Sequence, residues 1–196
     1  KIVPFDEQAD IYIVNTCTVT NIADRKSRQM LHQAKKRNPD ATVVAVGCYV
    51  QTGTEAVLKD EGIDLCIGNN RKKDLVPILE AYFGEQDKTI HDTTVIDINH
   101  TAEYEELTLT KTAEHTRAYI KIQDGCNQFC SYCIIPYLRG RSRSRAPSSI
   151  LNEINLLNPL ETVLTAINLS AYNFEGQTLT DLIKFISGVK TRIRLG

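Results

Sequence analysis

The stretch Asp124-Gly-Cys-Asn-Gln-Phe-Cys-Ser-Tyr-Cys133 holds three of the six cysteines in this 196-residue chain. Its thiols, at Cys126, Cys130 and Cys133, are separated by three and then two residues. Thiolates at this spacing can converge on one soft metal centre without ligands from distant parts of the fold. An iron–sulfur cluster suits three thiolates, because one of its irons can keep a non-protein ligand. The stretch therefore predicts an iron–sulfur cluster.

Other uses of three thiols fit this stretch less well. A tetrahedral zinc site would need a fourth Cys or His nearby, and the nearest histidine, His115, lies beyond a predicted strand. A disulfide would leave one thiol over and is typical of secreted proteins. A structural zinc site with a distant fourth ligand, and ordinary buried thiols, stay open as alternatives.

Composition limits the possible classes of protein. The net charge is −1, yet residues 116–150 hold six Lys or Arg against one Asp, which indicates a local basic face. No segment is apolar and long enough to span a membrane, and residues 1–10 lack the apolar core of a signal peptide. We therefore expect a cytoplasmic protein without membrane contact, whose thiols stay reduced. Because the chain lacks an initiator Met and begins in mid-pattern, we expect it to be part of a longer protein.

The amino-terminal part alternates predicted strands and helices. Short apolar runs predict strands at 11–14, 42–46 and 64–67, and the intervening patterns predict helices at 24–37, 54–60 and 72–83. Thr20 or Asn21 can cap the first helix, and Asn38-Pro39 ends it. This order predicts an α/β fold, with a three-layer parallel-sheet domain at residues 1–84.

Two further cysteines each follow a predicted strand. Cys17 comes after the first strand and Cys48 after the second. Because parallel sheets bind ligands at the carboxyl ends of their strands, these two thiols can meet at one edge. Two small buried thiols are an equally good explanation of the spacing alone. Cys66, inside the third predicted strand, is interpreted as a core residue.

An acidic segment separates this domain from the next. Residues 85–115 hold eight acidic residues against two Lys and contain neither Gly nor Pro. Short strands at 95–98 and 107–109 stay open, but the prediction is a solvated linker. Beyond it, residues 116–196 predict strands at 118–122, 161–165 and 191–195 and helices at 147–157 and 179–187. This βαβαβ order predicts the first half of a (β/α) barrel.

Four arginines alternate with small residues directly after the three thiols: Arg139, Arg141, Arg143 and Arg145. A solvated, extended basic strip needs no functional explanation. However, arginine side chains bind phosphate and carboxylate groups well through their fork geometry. Because the strip follows the cluster stretch, we favour a contact with RNA or with a cofactor.

The cysteine spacing resembles the signature of radical S-adenosylmethionine (radical SAM) enzymes, and residues 119–145 resemble the methylthiotransferase family nearly position for position. The resemblance implies that the three thiols hold a [4Fe–4S] cluster whose open iron binds SAM. Reduction would then cleave SAM to a 5′-deoxyadenosyl radical, with the protein positioning the cofactors. It also implies that Tyr132 lies near the adenine of SAM and Asn168 near its amino group.

The resemblance extends to the first domain and to the substrate. Asn15-Thr-Cys17 and Gly47-Cys-Tyr49 resemble two of three family motifs that hold an auxiliary [4Fe–4S] cluster, the third lying upstream of Lys1. Residues 15–28 are most similar to enzymes that act on N6-threonylcarbamoyladenosine at tRNA position 37. Two departures from the family are Ala166, where Gly is usual, and a short connection at 158–160.

The implied function is the transfer of a methylthio group to C2 of that adenosine in tRNA. Flavodoxin or ferredoxin would serve as the electron donor, and the sulfur donor is not indicated. Isopentenyladenosine in tRNA, or a ribosomal protein, would be the substrate of other family members. Rival functions are an iron–sulfur electron-transfer module without SAM chemistry and a catalytically inactive piece that contacts RNA or protein.

Overall fold

A computed structural model describes residues 1–53, 57, 59–84, 95–109, 111 and 116–196. The chain divides into two compact units, Lys1–Ile98 and Asn99–Gly196. This boundary falls inside the acidic segment, although the division into two domains joined by a linker at 85–115 stays a prediction. Among the described residues, none of the helices combines the length and the apolar character needed to cross a membrane.

The first unit is built on a parallel sheet of three strands in the order β1-β2-β3. Its elements are β1 (Ile11–Thr16), α1 (Asn21–Arg37), β2 (Thr42–Gly47), α2 (Cys48–Gln51), β3 (Leu65–Ile67), a 3-10 turn (Lys72–Asp74) and α3 (Leu75–Gly84). Thr20 caps α1, because its side chain accepts a hydrogen bond from the Ala23 amide. The predicted helix at 54–60 lies mostly outside the described residues.

β2 is apolar along almost its whole length, and its side chains point alternately to the two faces of the sheet, so both faces are buried. On one face Val43 packs in a cluster with Leu31 of α1. On the other face Val44 packs in a cluster with Ile78 and Tyr82 of α3. Since successive side chains of a strand point to opposite faces, helices cover both sides. The predicted three-layer α/β arrangement is confirmed.

The second unit has a sheet of four strands in the order β5-β4-β6-β9, in which only β5 is antiparallel. Its elements are β4 (Arg117–Asp124), α4 (Ile135–Arg139), β5 (Arg143–Ser144), α5 (Pro147–Leu157), β6 (Glu161–Ala166), a 3-10 turn (Leu169–Ala171), β7 (Asn173–Phe174), β8 (Gln177–Thr178), α6 (Leu179–Ile186) and β9 (Arg192–Leu195). The predicted parallel βαβαβ order is therefore present.

One apolar core holds the helices of this unit against the sheet. Ile120 of β4 and Leu164 of β6 are enclosed in a cluster with Ile150 of α5 and Leu182 of α6. On the opposite face of β4, Tyr119 is 55% exposed. Helices on one face of a parallel sheet, with the other face open, match the start of a (β/α) barrel.

The described part of the acidic segment is divided between the two units. Residues 95–98 belong to the first unit, and residues 99–109 belong to the second. This part contains a 3-10 turn (Ile98–His100), and Ile98 is buried. Within the second unit the Tyr104 hydroxyl donates to the Lys121 carbonyl at 2.9 Å. Neither of the two short strands that the sequence left open is present in these described residues. The solvated linker at 85–115 stays a prediction, with Ile98 and Glu105 as buried residues in its described part.

Candidate functional site

The three-thiol stretch lies in a closed loop, residues 125–142, that begins where β4 ends. Gly125 has φ +72°, and a Cβ there would lie 2.0 Å from the carbonyl oxygen of Arg141. At the base of the loop the Cys126 amide donates to the Gly140 carbonyl at 3.1 Å, and the Ser142 amide donates to Asn127 Oδ1 at 3.0 Å. Only glycine allows the two arms of the loop to approach so closely at position 125.

All three cysteines of this loop are half-buried and free of disulfides. The Cys133 amide donates to the Cys130 carbonyl at 2.9 Å, which holds these two residues in one turn. Among the described residues, no three His, Cys, Asp or Glu side chains are grouped closely enough to hold a metal ion. The loop therefore supplies three thiols, which are the ligand type that an iron–sulfur cluster needs.

Aromatic and basic side chains surround these thiols. The Phe129 ring meets the Tyr137 ring edge-on at 5.6 Å, and the Arg141 guanidinium lies 4.4 Å from the centre of the Phe129 ring. Such a cation–π contact at a partly exposed site is worth about 0.5–1 kcal/mol. Tyr132 is 90% exposed, so core packing does not account for that ring. It is accessible to a ligand at the surface of the loop.

Gln123, which the sequence analysis did not single out, connects the two loops expected to bind cofactors. Its side chain is fully buried at the end of β4. Its amide nitrogen lies 2.7 Å from the Gly125 carbonyl and 2.9 Å from Ser142 Oγ, and its Oε1 accepts from the Asn168 amide at 3.0 Å. A buried Gln near the end of a strand carries no sequence signal of this role, because its partners lie up to 45 residues away.

Asp124, beside Gln123, is a second missed residue. Its Oδ2 pairs with Lys121 Nζ at 2.9 Å and Arg139 Nη1 at 3.4 Å, and its Oδ1 accepts from the Gly125 amide at 2.9 Å. Burial alone would raise the pKa of Asp124, but Lys121 and Arg139 hold it below its usual value. The carboxylate stays ionised and fixes the start of the cysteine loop.

Asn168 follows β6 at the same end of the sheet as the cysteine loop. Its side-chain oxygen accepts from Ser170 Oγ at 2.7 Å, and the residue is half-buried. Ala166, the departure from the family pattern, packs against the core of the second unit. The short connection at 158–160 begins with Asn158 in the left-handed conformation, at φ 41° and ψ 51°, which turns the chain directly after α5.

The four alternating arginines do not form one solvated strip. Arg141 is exposed, and Arg139 is held by Asp124. Arg145 is 2% exposed and pairs with Glu153 and with Glu106, the latter at 2.8 Å. Arg143 is 6% exposed, and its Nη2 donates to the Arg139 carbonyl at 2.8 Å. The burial of Arg143 and Arg145 contradicts the alternative of a solvated basic strip for these two residues.

In the first unit, parallel pairing places the other two candidate cysteines at one sheet edge. Thr16 of β1 pairs with Gly47 of β2, so Cys17 and Cys48 directly follow the carboxyl ends of two neighbouring strands. Cys17 is exposed and Cys48 is 1% exposed. Asn69 Nδ2 lies 3.5 Å from the Cys48 sulfur. Neither cysteine forms a disulfide, so both sulfurs could serve as cluster ligands.

Hydrogen bonds tie the two cysteine segments of this edge together. The Thr16 hydroxyl donates to the Val46 carbonyl at 2.7 Å and accepts from the Tyr49 amide at 3.2 Å. Ser27 of α1 holds Cys17 from the other side, because its hydroxyl accepts from the Cys17 amide at 2.9 Å and donates to the Cys17 carbonyl at 3.0 Å. The backbone of both segments is therefore fixed.

Cys66 does not belong to this edge. It is 3% exposed in β3 and packs in the core with the α1 side of the sheet. Burial, with a smaller effect of Asp60, raises the pKa of its thiol to about 11. The sequence-based interpretation of Cys66 as a core residue is confirmed.

Comparisons with known proteins show what this chain is similar to. Residues 1–68 match the model of Uncharacterized protein family UPF0004. The chain is 40% identical to the threonylcarbamoyladenosine tRNA methylthiotransferase MtaB of Aquifex aeolicus and 37% identical to that of Bacillus subtilis, with 97% of this chain aligned in both cases. It is 34% identical, over 89% of its length, to a tRNA-2-methylthio-N(6)-dimethylallyladenosine synthase of Azobacteroides pseudotrichonymphae. The aligned chain covers 47%, 44% and 39% of these relatives, so it spans less than half of their length.

Proposed function

We propose that this chain is part of a methylthiotransferase of the kind that its relatives are named for, and that the full-length protein adds a methylthio group to C2 of N6-threonylcarbamoyladenosine at position 37 of tRNA. The observation that carries the proposal is the loop at residues 125–142, which presents three free, half-buried thiols directly after the first strand of a parallel sheet. The choice of substrate rests on the names of the relatives that are 40% and 37% identical.

The donor chemistry of both cysteine sites fits iron–sulfur clusters. Cys126, Cys130 and Cys133 would hold one [4Fe–4S] cluster, while Cys17 and Cys48 would hold a second together with further ligands. When bound, the first cluster and SAM supply the radical chemistry that an unactivated aromatic C–H bond requires. The second cluster is proposed to serve the sulfur transfer.

The remaining residues of the second unit would orient the cofactor. Gln123 keeps the cysteine loop and the loop of Asn168 in a fixed relation through its buried amide. Exposed Tyr132 is free to cover the adenine of SAM, and Asn168 would contact its amino group. This preorganisation lowers the entropic cost of holding SAM in a reactive geometry.

Arg141 and Arg139 are the arginines that we propose for contact with RNA. Arg141 is exposed beside the cysteine loop, and its stacking on Phe129 presents the guanidinium at a defined position. Phosphate contacts of this type supply affinity that falls with salt. The burial of Arg143 and Arg145 favours a supporting role for these two side chains. We further propose flavodoxin or ferredoxin as the electron donor.

Anaerobic reconstitution of the full-length protein with iron and sulfide tests the proposed function. The protein would be incubated with SAM, dithionite and tRNA that carries threonylcarbamoyladenosine, dimethylallyladenosine or unmodified adenosine at position 37. We expect mass spectrometry to detect 5′-deoxyadenosine and a methylthio product on the first tRNA. A Cys130→Ala variant, which removes one cluster ligand, should yield neither product.

Each other outcome of this experiment identifies a different error. A methylthio product on the dimethylallyl tRNA alone would keep the enzyme class and change the substrate. Cleavage of SAM with every tRNA unchanged would favour another substrate class, such as a ribosomal protein. Clusters that assemble while SAM stays intact under reduction would contradict the enzyme and favour an electron-transfer module.

A further inference from the structure

A basic cleft lies on the first unit, beside the edge that carries Cys17 and Cys48. It has a volume of about 720 Å³. The described residues that line it are Arg25, Arg28, Gln29, His32, Tyr49 and Asp60. Pockets for small organic groups commonly have volumes of about 300–1,000 Å³, so the cleft is large enough for a modified base substituent.

Helical periodicity explains why these side chains share one face. Arg25, Arg28, Gln29 and His32 stand at positions i, i+3, i+4 and i+7 of α1. The same helix carries Ser27, whose hydroxyl holds the backbone of Cys17. Tyr49, on the opposite wall, directly follows Cys48. The cleft is therefore built from the elements that position the two candidate ligands.

Two acidic groups near this cleft already have partners on α1. Asp60 accepts from His32 Nε2 at 2.9 Å, and Asp24 pairs with Arg28 at 3.0 Å. Arg25, by contrast, is exposed and has neither an ion-pair nor a hydrogen-bond partner among the described residues. A solvated basic helix face would look similar in charge, but it would not enclose a cleft with a buried tyrosine as one wall.

The opposite wall adds a donor that suits an anionic oxygen. Tyr49 is 7% exposed, and its hydroxyl makes no hydrogen bond within the described part of the chain. A neutral phenol hydroxyl can donate one hydrogen bond to an oxygen acceptor. Arginine guanidinium and a phenol hydroxyl together match the acceptor pattern of a carboxylate.

The adenosines in the names of the relatives differ in the charge of the group on N6. A threonylcarbamoyl group carries a carboxylate and a hydroxyl, whereas a dimethylallyl group is an uncharged hydrocarbon. We propose that the cleft of α1 and α2 binds the carboxylate of the threonylcarbamoyl group, with Arg25 as the main ligand and Arg28 and Tyr49 beside it. This inference rests on the proposed function. If it is right, the cleft is the part of the protein that selects the proposed substrate.

A binding experiment with paired RNA ligands tests the assignment on the full-length protein. One anticodon stem–loop would carry threonylcarbamoyladenosine at position 37, and the other its methyl ester, which keeps the shape and removes the charge. Fluorescence anisotropy at fixed salt would give both dissociation constants for the wild-type protein and for Arg25→Gln and Arg28→Gln. Lys26→Gln, on an exposed residue of α1 outside the cleft, is the charge-matched control.

We expect the wild-type protein to bind the acid about tenfold more tightly than the ester, because a hydrogen bond to a charged group is typically worth that factor or more. Arg25→Gln should remove about tenfold from the acid and less than twofold from the ester, and Lys26→Gln should not alter the ratio. An equal loss on both RNAs would indicate contact with phosphates and overturn the assignment. So would an Arg25 variant that binds both RNAs as the wild type does.

The same samples separate this inference from the proposed function. A methylthio product from wild-type protein, together with an unchanged acid-to-ester ratio in Arg25→Gln, would overturn the cleft assignment alone. Absence of any product, together with an acid preference that Arg25→Gln removes, would overturn the proposed transfer and support the cleft as a carboxylate site.

Discussion

Replacing Gln123 by Leu should loosen two loops at the carboxyl end of the second sheet. These are the cysteine loop, residues 125–142, and the loop that carries Asn168. Leucine keeps a similar volume in the buried site but removes the amide. The Gln123 side-chain nitrogen has two hydrogens for its three nearby acceptors, and its oxygen accepts one bond from Asn168. The change therefore removes about three hydrogen bonds, at a net value of about 1 kcal/mol each. The expected loss of local stability is about 3 kcal/mol.

Hydrogen exchange measured by mass spectrometry can locate this loss. A local change of about 3 kcal/mol corresponds to about a hundredfold faster exchange. We expect this acceleration in peptides from residues 124–142 and 166–170, with little change in the first unit. Gln177→Leu, at an exposed glutamine of β8, is the matched control and should leave both regions unchanged.

The informative amide is that of Asn168, because only the Gln123 side chain connects it to β4 in the described structure. If its exchange stays at the wild-type rate in Gln123→Leu, the two loops are not coupled through this side chain. The proposed orienting role would then be refuted. If exchange rises equally throughout the second unit, the substitution has destabilised the whole unit and the argument for a local connection fails.

Three further substitutions test other features. Gly125→Ala should prevent cluster assembly in the full-length protein, because its Cβ would meet the Arg141 carbonyl at 2.0 Å; an unchanged iron content after reconstitution would contradict this. Glu153→Ala leaves Arg145 buried with Glu106 as its one remaining carboxylate partner and should lower the free energy of unfolding by about 3–5 kcal/mol in urea titrations, whereas a loss below about 1 kcal/mol would indicate that the pair contributes little. Cys66 has a pKa of about 11 in the folded chain against 9.0 as the ordinary value, so the unfolded thiol ionises first and stability should fall as pH rises from about 9 to 11, by up to about 1.4 kcal/mol per pH unit. Cys66→Ala should remove that part of the slope, and an identical slope in the variant would show that other groups cause it.

The longer elements of the fold follow from the sequence because local patterns determine them. The predicted helix at 147–157 coincides with α5, where a Pro stands at its first position and an apolar stripe faces the core. By contrast, α2 and α4 are four and five residues long, too short to show a period. The β7–β8 hairpin was also missed, although Glu175-Gly176, both with positive φ, is a turn signal that the sequence contains.

The candidate sites were predictable where their residues are neighbours in sequence or directly follow neighbouring strands of a parallel sheet. Three thiols in one loop show themselves by spacing, and the register of β1 and β2 brings Cys17 and Cys48 to one edge as the strand ends predicted. Arg145 shows the limit of this reasoning. Its partners Glu106 and Glu153 lie 39 and eight residues away, so nothing local indicates that its charge is enclosed. Long-range pairing of this kind is a property of the fold and not of a motif.

The hydroxyl of Thr16 has a consequence for engineering this protein. It donates to the Val46 carbonyl and accepts from the Tyr49 amide, so one side chain bonds to the residues on both sides of Gly47 and Cys48. A chimera that takes residues 15–17 from a relative would keep the geometry of residues 47–49 only if position 16 still carries a hydroxyl. Exchange of both segments together is therefore the safer design, even though about 30 residues separate them in the chain.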